Sequence, residues 1–344
     1  MKKFVFKTLL FLSPFIVLQL LLMYGYNTKG GDLLRVGQIY EMFPSYRNRI
    51  QNELENQVYF DEINDITIKD KKIKYLLIGD SFTNDKTGYK NFLGFLSEGN
   101  VSSLNSNFSV NDNPLQTLNA LIKTDFFKNN EIEYVVIQAV ERYFSSRTYG
   151  FNPDLEMQKS KIEVTNPQDF KFVLFDQEFP SKTIFTFPYH TFRYLNEEED
   201  FGLIYRFNTN IELFSVDKKE VLCYHDDFDN IEANNWHEVN SKLNAILNDF
   251  SEALAKEKVK LIFLPAPNKL TAYYDYIVPK EPNLKPVFLS GFENLSKKYI
   301  YVNPIKSIDK FIQSGRKDFY FYDDTHWSYF GSKAVAEQII SETN

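Results

Sequence analysis

The apolar run Ile73-Lys-Tyr-Leu-Leu-Ile78 stops at Gly79-Asp80-Ser81, and this junction constrains the fold more than any other stretch. Leu76, Leu77 and Ile78 in succession read as a buried strand of a parallel sheet. Gly79 then allows a tight turn. Ser81 falls just past the carboxyl end of the strand, where open α/β sheets place their ligands. A serine hydroxyl is a weak nucleophile until a base takes its proton. The base that the sequence offers is His326, in the turn Asp323-Asp324-Thr325-His326-Trp327 near the other end of the chain.

The pattern between these points is strand, helix, strand. Phe92, Leu93, Phe95 and Leu96 suit one helix face. Asn113-Pro114 is a helix start, an N-cap side chain followed by proline at the first helical position. Leu115, Leu118, Leu121 and Ile122 continue at helical spacing, and Glu133 to Val140 reads as a second buried strand. From Tyr143 to Asn235 the rhythm is lost. Short aromatic and β-branched runs, Phe170 to Phe175 and Thr183 to Phe187, are broken by proline and Asp/Asn clusters, which predicts a small β-rich insertion over the carboxyl edge of the sheet. Regularity returns with Trp236, Val239, Leu243, Ile246, Phe250 and Leu254 on one amphipathic helix. Strands at Val259 to Leu264 and Tyr299 to Val302, a helix around Phe288 to Lys297, and a closing helix from Ser328 to Ile340 complete the series. Alternation of this kind predicts an α/β fold with a doubly wound, mostly parallel sheet.

Lys2, Lys3 and Lys7 precede an uncharged stretch, Thr8 to Thr28. As a helix it would be about 30 Å long, the thickness of a bilayer's hydrocarbon core. The lysines keep the amino end cytoplasmic, which sends the rest of the chain outside. No Ala-x-Ala-like cleavage site follows, so residues 1–28 are expected to stay as a single transmembrane anchor rather than a signal peptide. Residues 29–72 are polar and mixed, an expected juxtamembrane stalk with a short helix around Tyr46 to Glu55. The folded domain is then 73–344.

Net charge of -7 and a pI near 5.3 exclude a nucleic-acid partner, which needs a basic face. Cys223 is the only cysteine, so no intrachain disulfide can form. The 33 Phe and 22 Tyr could stack on sugar rings, although the codon usage of an AT-rich genome is the simpler explanation. His190, His225 and His237 have no partners at metal-ligand spacing. The acidic cluster after His225 (Asp226, Asp227, Asp229) reads as a solvated loop. No metal and no cofactor is expected.

A base needs a third group to fix its tautomer, and either Asp324 or Asp323 can orient His326. Donors must also face the developing oxyanion. The Ser81 N–H is the first, with Gln138 and Asn113 as further candidates. Arg142 and Lys269 each follow a strand and point to the same edge, where a cation could hold a carboxylate or phosphate. Tyr273 and Trp327 could stack on a sugar or simply pack in the core.

Gly79-Asp80-Ser81 with the closing Asp-x-His element resembles the SGNH/GDSL hydrolase superfamily, whose sheet is flavodoxin-like. Asp324-Thr-His-Trp327 and the segment Leu264-Pro-Ala-Pro-Asn-Lys-Leu-Thr-Ala-Tyr273 are similar to the polysaccharide O-acetyltransferases of the alginate type. In those enzymes the Asp-x-His-Trp element precedes the serine motif, whereas here it follows, as in ordinary SGNH hydrolases. The acetyltransferase pattern selects Asp324 as orienting residue; the commoner hydrolase spacing selects Asp323. The loop Asn107 to Asn113 lacks the second-block glycine of SGNH enzymes, and Gln138 stands at the strand end where their third block has Gly-x-Asn. The resemblance implies an O-acetyltransferase that works outside the cytoplasmic membrane on a polysaccharide, taking its acyl group from a multi-spanning membrane acyltransferase. A carbohydrate or lipid esterase and a non-catalytic glycan-binding subunit are the alternatives.

Overall fold

The computed structural model describes residues 2–25, 31–39, 50, 52–54, 56–157, 183–216, 218–280 and 285–344. Six strands form one all-parallel sheet: β1 (Asp61–Ile63), β2 (Lys72–Ile78), β3 (Val101–Leu104), β4 (Glu131–Val140), β8 (Lys260–Ala266) and β9 (Ile300–Tyr301). Their order is β1-β3-β2-β4-β8-β9. The chain leaves β2 towards β3 on one side and returns to β4 on the other, so the order reverses between β2 and β4. Such a switch point opens a crevice at the carboxyl ends of the two strands, and Ser81 lies there.

Both faces of the sheet are covered, as the unbroken apolar strands require. Tyr75 and Leu77 pack on one side with Phe92 and Leu93 of the helix Tyr89–Leu96 and with Val335 and Ile339 of the closing helix Tyr329–Thr343. Leu76 and Ile78 pack on the other side with Leu115 and Leu118 of the helix Pro114–Ile122 and with Val239 and Leu243 of His237–Ala255. Helices on two faces make the sheet doubly wound, as the alternating pattern predicts. The cap read at Asn113 is formed, its side chain accepting from the Leu115 N–H at 3.0 Å.

The insertion holds a second, antiparallel sheet of β5 (Asp200–Phe201), β6 (Ile204–Asn208) and β7 (Glu220–Tyr224). One part of that expectation is corrected: Thr183 to Phe187 is helical, the start of the helix Thr183–Leu195. Here tertiary context overrides the β propensity of the aromatic and β-branched residues. Phe170 to Phe175 lies outside the described residues, as does most of the expected short helix at Tyr46 to Glu55.

The stalk expectation also needs correction. Within 29–72, β1 and the start of β2 belong to the main sheet, and Leu33, Leu34, Ile39, Ile50 and Leu54 are buried in its core. Their apolar side chains are spaced too irregularly to show a period, so their burial is invisible to pattern reading. At the amino end a helix runs from Lys2 to Gly25, with side chains described as far as Val17. Among the described residues no helix is long and apolar enough to cross a membrane.

Candidate active site

Asp80 ends β2 in extended conformation and caps the short helix Ser81–Asn84. Its carboxylate also accepts from the Val140 N–H at 2.7 Å, at the end of β4, and from Arg147 at 2.7 Å. The nucleophile turn is thereby tied to the neighbouring strand across the switch point. Gly79 is required here, because a Cβ would come within 2.1 Å of Thr83 Oγ1 and 2.6 Å of Gln138 Oε1.

His326 comes from the opposite end of the chain. Phe321 N–H donates to the His326 carbonyl at 3.2 Å, and Ser328 N–H to Phe319 at 2.9 Å, closing Tyr322–Thr325 into a tight loop. Ser328 then caps the closing helix. Phe82 packs on the His326 ring with centroids 4.6 Å apart and on Trp327 at 4.8 Å, which sets the imidazole's plane.

In this frame His326 Nε2 lies 2.8 Å from Ser81 Oγ, and His326 Nδ1 lies 2.7 Å from Asp324 Oδ1. The Asp324 carboxylate also accepts from the His326 backbone N–H at 3.0 Å. Asp324, not Asp323, therefore meets Nδ1. The backbone of Asp323 is instead packed against Gly31. With a proton on Nδ1, Nε2 is free to accept the serine's proton, the arrangement that nucleophilic acyl transfer needs. Ser81 itself is exposed.

A second carboxylate, which sequence reasoning missed, reaches the same imidazole. Asp32 Oδ2 is 3.4 Å from His326 Nδ1, and Asp32 accepts from Thr325 N–H at 2.7 Å and from the Thr325 hydroxyl. Burial works to lower the His326 pKa, but the hydrogen bonds and charges of Asp32 and Asp324 outweigh it and raise it to about 10. No local signal marks Asp32. It lies far from the loop in sequence, within a polar segment.

The other expected site residues are placed differently. Gln138 is fully buried behind the turn, its Oε1 accepting from Asp80 N–H at 3.2 Å and the Thr83 hydroxyl at 2.9 Å. Asn113 donates to the Arg147 carbonyl at 3.0 Å. Asn113 and the Gln138 amide oxygen thus hold the protein to itself, and both side chains are buried. Arg142 is buried and paired with Asp227 at 3.1 Å, under the ring of Tyr224. Lys269 is buried and donates to the carbonyls of Phe321 and Tyr322. The Tyr273 hydroxyl accepts from Tyr320 N–H at 3.2 Å, and Trp327 packs between Phe82 and Tyr89. None of the last four residues is exposed to bind a ligand. Residues at strand ends point towards the right edge, yet the insertion and the N-terminal segment cover them. Arg147, which fixes Asp80, was also missed.

Among the described residues two groups bring three candidate ligand atoms within 4.8 Å: Asp32, Asp324 and His326, and His225, Asp226 and Asp229. In the first group a cation would displace the hydrogen bonds that leave Nε2 basic, and the arrangement is that of a proton relay. The second group sits on the short helix Asp226–Asp229, not on the solvated loop expected there, and the intervening Asp227 is buried against Arg142. A cavity of about 930 Å³ lies elsewhere, lined by residues such as Phe108, Phe126 and Met157, and includes neither Ser81 nor His326.

A serine, histidine and aspartate gathered at the switch point of a doubly wound sheet form a nucleophile, base and orienting group of the kind used in acyl transfer. Residues 227–344 match the family model of the SGNH hydrolase-like domain of the acetyltransferase AlgX. That stretch contains Lys269, Asp324 and His326 and leaves Ser81 outside it. The chain is similar to that domain there. No curated protein and no solved structure matches the chain.

Proposed function

We propose that this protein is an O-acetyltransferase that modifies an extracytoplasmic polysaccharide through an acyl-enzyme on Ser81. The observation that carries this reading is the relay Ser81 Oγ, His326 Nε2, His326 Nδ1, Asp324 Oδ1, with links of 2.8 and 2.7 Å. Ser81 Oγ attacks the donor's acyl carbonyl carbon while His326 takes the serine proton. The tetrahedral intermediate collapses, the bond to the leaving group breaks, and His326 returns the proton to that group. A sugar hydroxyl then gives its proton to His326 and attacks the serine ester, and the proton passes back to Ser81 as the product leaves. The Ser81 N–H, which bonds to no other described residue, is available to the developing oxyanion.

Two further observations support the setting. The exposed serine suits a polymer laid across the surface better than a small enclosed substrate. In the helix Lys2–Gly25 the side chains of Phe4, Leu9, Leu10 and Phe11 are each more than half exposed, at 74%, 56%, 64% and 70%. An apolar surface that the chain itself does not cover fits a lipid environment, and with the preceding lysines it supports a single cytoplasmic-membrane anchor with the α/β body outside. A multi-spanning acyltransferase is the expected acyl donor, and the anchor would hold Ser81 near it.

Esterase activity is the second reading, favoured by the same exposure of Ser81, because water can reach the acyl-enzyme. The experiment is acetyl transfer from p-nitrophenyl acetate by the full chain in detergent, with and without glycan oligosaccharides, beside Ser81→Ala. Acetyl mass on the oligosaccharide with less free acetate is the expected result. Equal acetate release with and without sugar makes the protein an esterase. No Ser81-dependent turnover removes the acyl-enzyme reading.

A further inference from the structure

Asp32 stands outside every expectation for this site. It opens the short helix Asp32–Val36, in a segment whose neighbours are firmly held. Leu33 and Leu34 are buried at 1% and 2% exposure, and the Gly37 carbonyl faces His190 Nδ1 at 2.7 Å. Immediately before it, Gly31 meets the loop that carries His326. A Cβ on Gly31 would stand 1.8 Å from the carbonyl oxygen of Asp323, so the two backbones touch in a way only glycine permits.

This contact aims the Asp32 carboxylate. One oxygen accepts from the Thr325 N–H at 2.7 Å. The other accepts from the Thr325 hydroxyl and stands 3.4 Å from His326 Nδ1. The imidazole therefore has carboxylates on two sides, Asp324 at 2.7 Å and Asp32 at 3.4 Å, and Ser81 at its far nitrogen. The other charged groups around this pair are Asp323 in the loop, Arg142 after β4, Asp227 beyond β7, and Lys269. Arg142 pairs with Asp227 and Lys269 with backbone carbonyls, so neither cation stands between Asp32 and the imidazole.

We infer that Asp32 is a positioning residue of the active site: the segment after the N-terminal helix docks on the histidine loop and supplies a second carboxylate that holds His326 and favours its protonated form. Asp32 touches neither donor nor acceptor, and it acts through His326 and Thr325. A histidinium so held is the state that must return a proton to the leaving group, and it stabilises the charge separated when Ser81 attacks. The cost is a smaller fraction of neutral base at rest. The raised His326 pKa agrees in direction. This inference rests on the acyl-transfer reading, yet its test does not need turnover.

The test is an NMR titration of ring-labelled histidine in the full chain in detergent, with His326 assigned by its loss in His326→Gln. In the unaltered protein the His326 midpoint should lie well above the ordinary 6.5 of histidine. Asp32→Asn keeps a carbonyl oxygen for the Thr325 N–H and removes the charge, so the midpoint should fall by about one pH unit or more, while Asp32→Glu restores it. Where esters are turned over, the acid limb of kcat should move the same way with KM little changed. An unaltered His326 midpoint at or below 6.5 overturns the inference, even if Asp32→Asn fails to fold. So does a folded Asp32→Asn whose midpoint does not move. Absence of ester turnover with an intact midpoint shift overturns only the function proposed above.

Discussion

Lys269 Nζ donates to the Tyr322 carbonyl at 2.8 Å, and to that of Phe321 at 3.0 Å, just before the loop that carries Asp324 and His326. A buried ammonium is costly unless its protons are taken, and here two of them are taken by backbone carbonyl oxygens. On the other side of the loop, the Tyr322 hydroxyl meets Tyr194 at 2.8 Å and the Glu220 carboxylate of the insertion. The loop is therefore braced from the α/β body and from the insertion together.

The pH dependence of stability should show the half-buried His326 and the buried Lys269 pulling in opposite directions. The raised His326 pKa means that the folded chain binds more protons than the unfolded between about 6.5 and 10, so this contribution to stability is full below 6.5 and is lost as pH rises through 10. Burial lowers the Lys269 pKa from 10.5 to about 8, against the nearby carboxylates Asp323, Asp32 and Asp324. Its folded form binds fewer protons from about 8 upwards, and that contribution rises with pH. Urea unfolding of the wild type should show stability falling from pH 6.5 to 8 and then flattening. In Lys269→Met the fall should continue past 8. The substitution should also cost about 1–3 kcal/mol at neutral pH by removing the ammonium's hydrogen bonds to two buried carbonyls. A Lys269→Met curve that runs parallel to the wild type at all pH values would contradict the assignment.

The relay should behave as a unit. Ser81→Ala and His326→Ala should each lower acyl turnover by about 10³-fold or more, and the double variant should lose little beyond either single one. Stability should change by less than about 1 kcal/mol for Ser81→Ala, because the residue is exposed at the first turn of a helix. Steady-state ester turnover with urea midpoints for the three variants checks this. Multiplicative losses in the double variant would mean that the two residues do not share one step.

Arg142 should prove structural. It is paired with Asp227, whose carboxyl is pushed up to about 6 by burial, with Arg142 and Lys269 pulling it down. Arg142→Ala leaves that carboxylate buried without its partner, and should cost about 3–5 kcal/mol. The expected result is a large drop in the urea midpoint. A variant of wild-type stability with weakened acceptor binding would instead return Arg142 to the ligand-binding role its strand-end position suggested.

The body of the fold was legible because its physics is local. β2, β4 and β8 each contain an unbroken apolar run of four or more residues, and the Asn113-Pro114 cap and the period of His237–Ala255 are written in adjacent residues. The helix Pro304–Gln313 carries the same Asn-Pro start and went unread, and the four-residue β3 was too short to stand out. Ser81, His326 and Asp324 could be paired from sequence because each follows an apolar strand or sits in a short motif. Asp32 could not, since nothing in Gly31-Asp32-Leu33 says which distant loop it meets. The basic residues failed for a related reason. A strand-end position predicts the edge of the sheet, but exposure there depends on what the insertion and the N-terminal segment cover.

Under the anchored reading proposed above, that N-terminal contact bounds how far the site can lie from a membrane. Asp32 follows Gly25, the last residue of the first helix, by seven residues. Even fully extended, such a connection spans only about 25 Å. Because Asp32 touches Thr325 and its neighbour His326 touches Ser81, the nucleophile stands within a few side-chain lengths of that limit. With the helix inserted, Ser81 should lie close above the bilayer surface, within reach of a membrane-bound acyl donor. A dye can be placed by Ser81→Cys, since Cys223 is buried and out of its reach. In reconstituted vesicles, energy transfer to acceptor dyes on lipid headgroups should report a distance on the order of that 25 Å reach. A distance more than about twice that reach would show that the first helix does not hold the site at the membrane, and would separate the relay from any donor embedded there.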